Sequence, residues 1–405
     1  MKKLYITLFL LLVTGSSLLA QEQIRVWKQG TGTRFVNPEM LFSEDASTFT
    51  VADSTYSVGQ VDSITVVHTI SVTFDGNTAA VDLGHARNVT YTTDGAHVNI
   101  VSTNTKSELE LVLQGQSTQG SLTYVGPLKC KFYLNGLNLK SNKGAAIDIQ
   151  CGKRVDLILN PGTENVLEDV AGGEQKAALY CKGHLEVSGS GSLTVMGNTK
   201  HGIATNEYME VKRSTGSITV SKAVSDAMHI EQYFKMNGGV LNLSGQGGEG
   251  LQVEIKTLDD DVTPNPDKED NGMTFINGGT LNITASAPNT KGIKAPIDLI
   301  VTGGTFEIAV PGAGSKGISV DRDMIVGQES GTTLITVRAT GGIYEDEEEN
   351  DSYCTGIKVK RNLIVNAGTV RVSNKGNGTR GIRIGGTLTK GSEAAVQGSI
   401  SYSSN

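Results

Sequence analysis

Four carboxylates stand at two matching positions in neighbouring segments of the chain. The interval from Asp226 to Glu249 equals the interval from Glu231 to Glu254. Like charges stacked at the spacing of adjacent strands repel each other unless a cation neutralises them. Calcium, which takes about 6–8 oxygen ligands, would do so, and the spacing therefore predicts a calcium site at these four acids. The alternatives are exposure to solvent, or neutralisation by the nearby cations Lys256, His229 and Lys291.

Basic side chains recur at two registers in the last four segments. Both registers are counted from a small residue that recurs once in each segment, here Gly292, Gly317, Gly356 and Gly381. The first register is the residue before this small residue, and the second lies two residues after it. The basic members are Lys291, Lys316 and Arg380 at the first register and Lys294, Lys358 and Arg383 at the second. Strand alternation turns the second register outward, because the isoleucine that precedes it points inward.

An extended polyanion lying along this basic stripe would relieve the repulsion between its stacked charges. Uronate carboxylates on a linear chain suit such a stripe. The pattern therefore predicts that the protein binds an acidic, polyuronate-like polysaccharide. The alternative is a solvated basic face that only improves solubility.

Two tyrosines share another register. Tyr208 and Tyr233 occupy matching positions in neighbouring segments, and His184 lies in the preceding segment. A ring on a solvent-facing surface has an apolar face and a polar tip, which suits contact with a sugar ring. Tyr208 and Tyr233 are therefore predicted to contribute to polysaccharide binding, and the alternative is that the rings pack on each other.

Other kinds of chemistry have little support in the sequence. The chain contains no CxxC pair, no His/Cys spacing that suits zinc, and no Ser/His/Asp or paired acid/base signature for hydrolysis. Cys151 and Cys181 each lie four residues before a matching strand residue, so they are expected to stack as buried, reduced thiols, with a disulfide as the alternative. The net charge of −7 argues against a nucleic-acid binder.

The elements that must position these side chains are short strands in a repeat. One unit recurs: a small residue, an aliphatic residue, an apolar-x-apolar strand, a Gly-rich turn and a second such strand. The small residue recurs at Ala178, Gly202, Ala227, Gly250, Gly292, Gly317, Gly356 and Gly381. The intervals between them are nearly equal, except from Gly250 to Gly292 and from Gly317 to Gly356, which each contain an insertion.

A period of about 24 residues without helical patterning predicts a right-handed parallel β-helix. Each period forms one coil, and equivalent strands stack about 4.8 Å apart. Alternating aliphatic residues line the interior, and Gly-rich turns supply backbone with positive φ. Leucine-rich repeats have a similar length, but the LxxLxL consensus is missing. Function is therefore expected on the outer side-chain ladders of an all-β solenoid.

Three segments are expected along the chain. Residues 1–20 have a basic start, a short apolar run and small residues up to Ala20, which is typical of a secretory signal peptide. Residues 21–68 read as a small β module, and residues 69–405 as the β-helix. The protein is thus expected to cross the inner membrane and to be periplasmic, on the cell surface or extracellular. A monomer without a membrane span is expected.

The repeat region resembles a known family. The stretches NGLNLKSNKGAAIDIQCGKRVDLILNPGTENVLEDV and AALYCKGHLEVSGSGSLTVMGNTKHGIATNEYMEV resemble the secreted β-helix carbohydrate-binding domains described as binding cellulose and acidic sugars. The segment PGTENVLED, the link SGSGSLTV to HGI and the repeated GG-T turns carry the resemblance, which covers roughly residues 70–390. Residues 21–68 resemble a short strand module of many secreted envelope proteins.

This resemblance implies a pectate-lyase-like architecture that binds calcium and polysaccharide, and it does not by itself imply catalysis. Coils of the family often begin with Asp-Gly-Ile. In this chain that first position is occupied by His201, Asp226, Glu249, Lys291, Lys316, Thr355 and Arg380, so only two coils keep an acid.

Three classes of function follow. The first, a non-catalytic polysaccharide-binding protein, is the interpretation that the residues favour. The second is a calcium-dependent polysaccharide lyase, which needs a base to take the α-proton of a uronate. Lys291 follows Glu249 by one coil and keeps that alternative open. The third is a structural or adhesion protein of the cell envelope.

Overall fold

The computed structural model describes residues 23–29, 31–36, 39–328, 332–345 and 351–402. The predicted signal peptide, residues 1–20, lies outside these ranges. Within them, no helix has the length and apolar character needed to cross a membrane. The described chain divides into two compact units, one formed by residues up to Thr69 with Asp82–His85 and the other by Ile70–Val81 with the residues from Ala86 onward.

The first unit is a small antiparallel β structure. Val26, Phe49 and Val51 form its buried core, and the ring of Phe49 stacks on Tyr56 with 5.4 Å between centroids. Its strands are Gln23–Lys28, Thr31–Val36, Met40–Phe42, Thr48–Val51 and Ser54–Ser57, followed by a short 3₁₀ helix Val58–Gln60 and by Ser63–Asp75, which continues past the end of the unit.

The second unit is a parallel β-helix, as predicted. One of its sheets, called sheet 1 below, is 14-stranded and carries most of the residues singled out in the sequence. Its strands are Val89–Asp94, Ala96–Ser102, Gly120–Val125, Ile147–Gln150, Ala177–Cys181, His201–Thr205, Met228–Glu231, Leu251–Glu254, Lys291–Ala295, Lys316–Val320, Ile343–Tyr344, Ser352–Val359, Thr379–Ile384 and Ile400–Tyr402.

The remaining strands of this unit form two further stacks. Long strands such as Cys130–Lys140 and Leu363–Asn374 pair with both stacks, which joins them at the corners. The other strands are Thr78–Asp82, Leu109–Ser117, Val155–Leu159, Glu164–Glu168, Leu185–Ser188, Ser192–Gly197, Met209–Val211, Ser217–Ala223, Phe234–Met236, Val240–Leu243, Thr274–Ile276, Thr280–Thr284, Leu299–Val301, Gly304–Val310, Met324–Val326, Thr333–Ala339 and Leu388–Gln397.

The predicted register of the repeat is confirmed. The N–H of Gly202 donates to the carbonyl of Asp226 at 3.1 Å, and the N–H of Ala227 donates to the carbonyl of Glu249 at 2.9 Å. The small residues of successive coils therefore stack on one another in sheet 1. A Cβ added to Gly292 would lie 2.5 Å from the carbonyl oxygen of Gly317, so close packing between coils requires the small residue.

The predicted turns agree with the structure, whereas the predicted stack of two cysteines does not. The last glycine of the recurring turn has positive φ, between 79° and 103°, at Gly239, Gly279, Gly304 and Gly368. All four cysteines are free and buried. The predicted stacking of Cys151 on Cys181 is wrong in register, because Cys181 lies beside Ile149 in the neighbouring strand of sheet 1. Alternation fills the interior with aliphatic side chains, so side chains of the opposite parity point away from the core and build the surface ladders.

Candidate functional site

Sheet 1 carries two ladders of stacked side chains, which are buried in several of the coils and partly exposed in the others. The first ladder is the residue before the small residue of each coil: Ala177, His201, Asp226, Glu249, Lys291, Lys316, Thr355 and Arg380. The second ladder lies two residues after the small residue: Tyr180, Ala204, His229, Gln252, Lys294, Ser319, Lys358 and Arg383. Acidic residues and histidines occupy the middle coils, and basic residues dominate the later ones.

The six predicted cations of the later coils come together on one surface, called the basic face below. Its members are Lys291, Lys294, Lys316, Lys358, Arg380 and Arg383, and each is partly exposed. Lys291 pairs with Glu249 at 3.2 Å. Among the described residues, no carboxylate forms an ion pair with any of the other five. Five of the six cations of the basic face therefore lack an ion-pair partner among the described residues, although Glu254 acts on Lys294 and Asp321 on Lys358 at longer range.

Burial, and next to it repulsion between neighbouring cations, lowers the pKa of two lysines of the basic face. Burial, together with repulsion from Lys291 and Lys358, lowers the pKa of Lys316 to about 8. The Nζ of Lys316 donates to the carbonyl of Gly314 at 2.6 Å, a neutral acceptor that leaves the charge uncompensated. Burial and the neighbouring Arg383 also lower the pKa of Lys358. An anion bound at this face would relieve that repulsion.

The last coil adds a pocket to the basic face. Arg380 and Arg383 line a cavity of about 460 Å³ together with Ser399 and Tyr402. The guanidinium of Arg380 lies 3.6 Å from the ring centroid of Tyr353, which holds it by a cation–π contact. A fixed guanidinium beside hydroxyl groups is a suitable partner for a carboxylate.

Each of the four predicted calcium ligands already has a cation of the protein beside it. The shortest contacts are Glu231 with Lys256 at 2.6 Å and Lys176 at 2.9 Å, Glu249 with Lys291 at 3.2 Å, Glu254 with His229 at 3.5 Å, and Asp226 with His229 at 2.9 Å. These partners include Lys256, His229 and Lys291, the cations of the alternative interpretation. Calcium needs about 6–8 oxygen ligands and does not fit this arrangement unless it displaces those groups. The calcium site stays a prediction.

The sequence did not reveal a cluster of two histidines around Asp226. The Oδ2 of Asp226 lies 3.2 Å from the Nδ1 of His201 and 2.9 Å from the Nδ1 of His229. The two imidazole rings are stacked, with 4.3 Å between centroids. All three residues are buried, at 1%, 3% and 9% exposure for His201, Asp226 and His229.

The two imidazoles of this cluster titrate differently. Burial lowers the pKa of His201, which favours its neutral form. Burial also disfavours charge on His229, but the carboxylates of Asp226 and Glu254 outweigh it and raise the pKa of His229 to about 9. Hydrogen bonds from both histidines keep the pKa of Asp226 far below its usual value despite burial. At neutral pH the cluster therefore holds one imidazolium between two carboxylates.

The positions of the two histidines relative to Asp226 were a signal for this cluster in the sequence. His201 precedes Asp226 by one coil at the same register, and His229 follows Asp226 by three residues in the same coil. The two histidines therefore belong to different ladders and meet only diagonally between coils. Histidines at the register of Asp226 and in the neighbouring ladder, considered together with the carboxylates, indicate this cluster.

The predicted aromatic residues form a continuous stack. The ring centroids of His184 and Tyr208 are 4.3 Å apart, and those of Tyr208 and Tyr233 are 4.6 Å apart. Both faces of Tyr208 are thus covered, and its hydroxyl donates to Glu186 at 2.9 Å. The alternative interpretation, that the rings pack on each other, describes this geometry. A sugar ring would reach Tyr208 and Tyr233 only at their edges.

Comparison with known proteins agrees with the resemblance in the sequence. Residues 94–393 match the family described as carbohydrate-binding domain-containing protein. A protein of that description from Acetivibrio thermocellus is 33% identical over 95 residues, which are 22% of this chain and 32% of that protein. The match thus spans about a third of that relative's length. A solved structure of a polysaccharide lyase-like protein from C. thermocellum, a gadolinium derivative, has a TM-score of 0.46 and 16% identity, covering 81% of this chain and 99% of that one.

Proposed function

Because this chain belongs to the family of carbohydrate-binding domain-containing proteins over residues 94–393, we propose that it binds a polysaccharide without cleaving it and that the ligand is acidic. Family membership supports the carbohydrate part of this proposal. The basic face supports the acidic part, because it is a surface of six cations in which only Lys291 has a carboxylate partner among the described residues. The proposed site lies outside the inner membrane, and the binding unit is a monomer.

The geometry of the basic face suits a linear polyanion. The two ladders run along the axis of the β-helix, so equivalent cations repeat at multiples of about 4.8 Å. Lys294, Lys358 and Arg383 belong to one ladder, in which Ser319 takes the place of a cation in one coil. A chain of uronate sugars carries one carboxylate per sugar and can contact several coils at once. Its binding depends on many weak, exposed charge contacts.

Affinity electrophoresis of the mature protein tests the proposal. We expect retardation in gels that contain polygalacturonate and little or none in gels that contain a neutral cellulose derivative. Added salt should reduce the retardation steeply, because exposed charges are screened within about 8–10 Å at physiological ionic strength. Retardation by both polymers that salt leaves unchanged would contradict the acidic part of the proposal.

The same samples distinguish the other two classes of function. An increase in ultraviolet absorbance of the polygalacturonate solution would reveal unsaturated products, and thus a polysaccharide lyase. We expect no such increase, with or without calcium. Absence of retardation by any polysaccharide would favour a structural or adhesion protein of the envelope instead.

Calcium assistance is a separate part of the proposal. If calcium binds at Asp226, Glu231, Glu249 and Glu254, the melting temperature rises with calcium concentration by mass action. The stabilisation is about 2.7 kcal/mol when calcium is 100 times its dissociation constant. Glu231→Gln should remove the increase, whereas Glu307→Gln, on a different stack, should keep it. A melting curve that millimolar calcium does not move in the wild type contradicts calcium binding.

A further inference from the structure

The buried cluster around Asp226 has the composition and spacing of a metal site. We propose that His201, Asp226 and His229 bind a first-row transition-metal ion such as Zn²⁺. The ion links two adjacent coils. This site is independent of the proposed polysaccharide binding. It shares Asp226 with the calcium site that the sequence predicts, so the two ions would compete for this carboxylate. Within the described part of the chain, it is the one group of three such residues whose ligand atoms all lie within 4.8 Å of one another.

The distances are close to those of a filled site. The Oδ2 of Asp226 lies 3.2 Å from the Nδ1 of His201 and 2.9 Å from the Nδ1 of His229. In a tetrahedral site with bonds of about 2.0–2.2 Å, neighbouring ligand atoms are about 3.3 Å apart. The carboxylate oxygen is therefore already at nearly the required separation from both nitrogens, and all three ligand atoms lie within 4.8 Å of one another. Binding would require the two stacked imidazoles to turn their Nδ1 atoms toward a common point.

The donor set selects the class of metal. Two imidazole nitrogens and one carboxylate suit zinc, copper, nickel or iron. Calcium instead prefers a shell of oxygen atoms, and no imidazole nitrogen serves it well. The histidines thus indicate a transition metal at Asp226, a residue that the spacing of the acids assigned to a calcium site.

Hydrogen bonding alone leaves the imidazole of His201 poorly satisfied. The backbone N–H of Asp226 lies 3.3 Å from its Nδ1, and the Oδ2 of the same residue lies 3.2 Å from that nitrogen. The contact with the backbone N–H requires a lone pair on Nδ1, and the contact with the carboxylate oxygen requires a proton on Nδ1. No tautomer serves both contacts. The Nε2 of His201 is buried and has no hydrogen-bond partner among the described residues. A metal ion bound by the Nδ1 of His201 and the Oδ2 of Asp226 would take a lone pair from each atom and so account for their close approach, with the imidazole proton on Nε2.

The neighbours of the cluster hold its ligands in place. The Oδ1 of Asp226 accepts the backbone N–H of Glu249 at 2.9 Å, which turns the other carboxylate oxygen toward the imidazoles. The Oε2 of Glu254 lies 3.5 Å from the Nε2 of His229. A carboxylate on the far nitrogen of a coordinating histidine is the usual partner that orients such a ligand.

Titration of untagged, chelator-treated mature protein with Co²⁺ and Zn²⁺ tests the proposal. We expect one equivalent of Co²⁺ to give visible absorption, Zn²⁺ to displace it, and an excess of Ca²⁺ to leave it in place. Both transition metals should raise the melting temperature. Affinity should increase with pH, because the metal competes with protons for the imidazoles.

Substitutions locate the ion. His201→Gln and His229→Gln should each abolish the absorption, and Glu254→Gln should weaken binding by about 10–100-fold. His184→Gln is the matched control, because this imidazole stacks on Tyr208 away from the cluster. Retardation in polygalacturonate gels should remain in all four variants, which separates this test from that of the proposed function.

Two results would overturn the metal site. One is a wild-type protein whose absorption and melting temperature do not respond to either metal, an outcome that requires no variant to fold. The other is metal binding that survives in folded His201→Gln and His229→Gln proteins, which would place the ion elsewhere.

Discussion

Replacing both Lys294 and Lys358 with glutamate is expected to reduce strongly the retardation of the protein by polygalacturonate. Both lysines lie in the second ladder of sheet 1, and neither forms an ion pair with a carboxylate among the described residues. An exposed ion pair is worth about 0.2–1 kcal/mol, and charge reversal adds repulsion of similar size. The double substitution should therefore weaken binding by about 1–4 kcal/mol, or roughly 5- to 1000-fold.

A matched control separates local contact from net charge. Lys153→Glu combined with Lys390→Glu changes the net charge by the same amount, but both residues are exposed and lie outside the basic face. This control should keep the wild-type retardation, measured relative to a gel without polysaccharide. Equal loss in both double variants would show that overall charge, rather than the basic face, controls binding.

Replacing Asp226 with alanine is expected to lower the free energy of unfolding by about 3–5 kcal/mol. The carboxylate is buried, and its removal leaves His229, whose pKa is raised to about 9, as a buried cation without its nearest partner. It also leaves the N–H of Glu249 without its acceptor. An unpaired buried charge is costly because it loses hydration without a compensating interaction.

Denaturant unfolding at neutral pH in the presence of a chelator measures this loss without any contribution from metal. Asp321→Ala is the control, because its carboxylate is exposed and pairs with Lys360 at 3.0 Å; such surface pairs contribute about 0–1 kcal/mol. Asp226→Asn should have an intermediate effect, since an amide oxygen can still accept the N–H of Glu249. If Asp226→Ala is no less stable than Asp321→Ala, the cluster around Asp226 does not stabilise the coils.

The repeat and its registers were readable in the sequence. The spacing of Gly202, Ala227 and Gly250 predicted which residues stack, and the hydrogen bonds between their coils confirm it. The positive φ of Gly239 and Gly279 was likewise expected from the turn sequence. In a solenoid each coil contacts mainly its neighbours, so a sequence period translates directly into spatial register. The basic face was predictable for the same reason.

The partners of the outward side chains were decided only by the tertiary structure. Lys176 reaches Glu231 two coils away, and His201 meets His229 diagonally between two ladders. Tyr208 has both faces covered by His184 and Tyr233, although its register alone allowed an exposed ring. A period fixes which backbone positions are neighbours. It does not fix the side-chain rotamer, the diagonal contact or the burial, because these depend on every side chain that competes for the same space and the same charge.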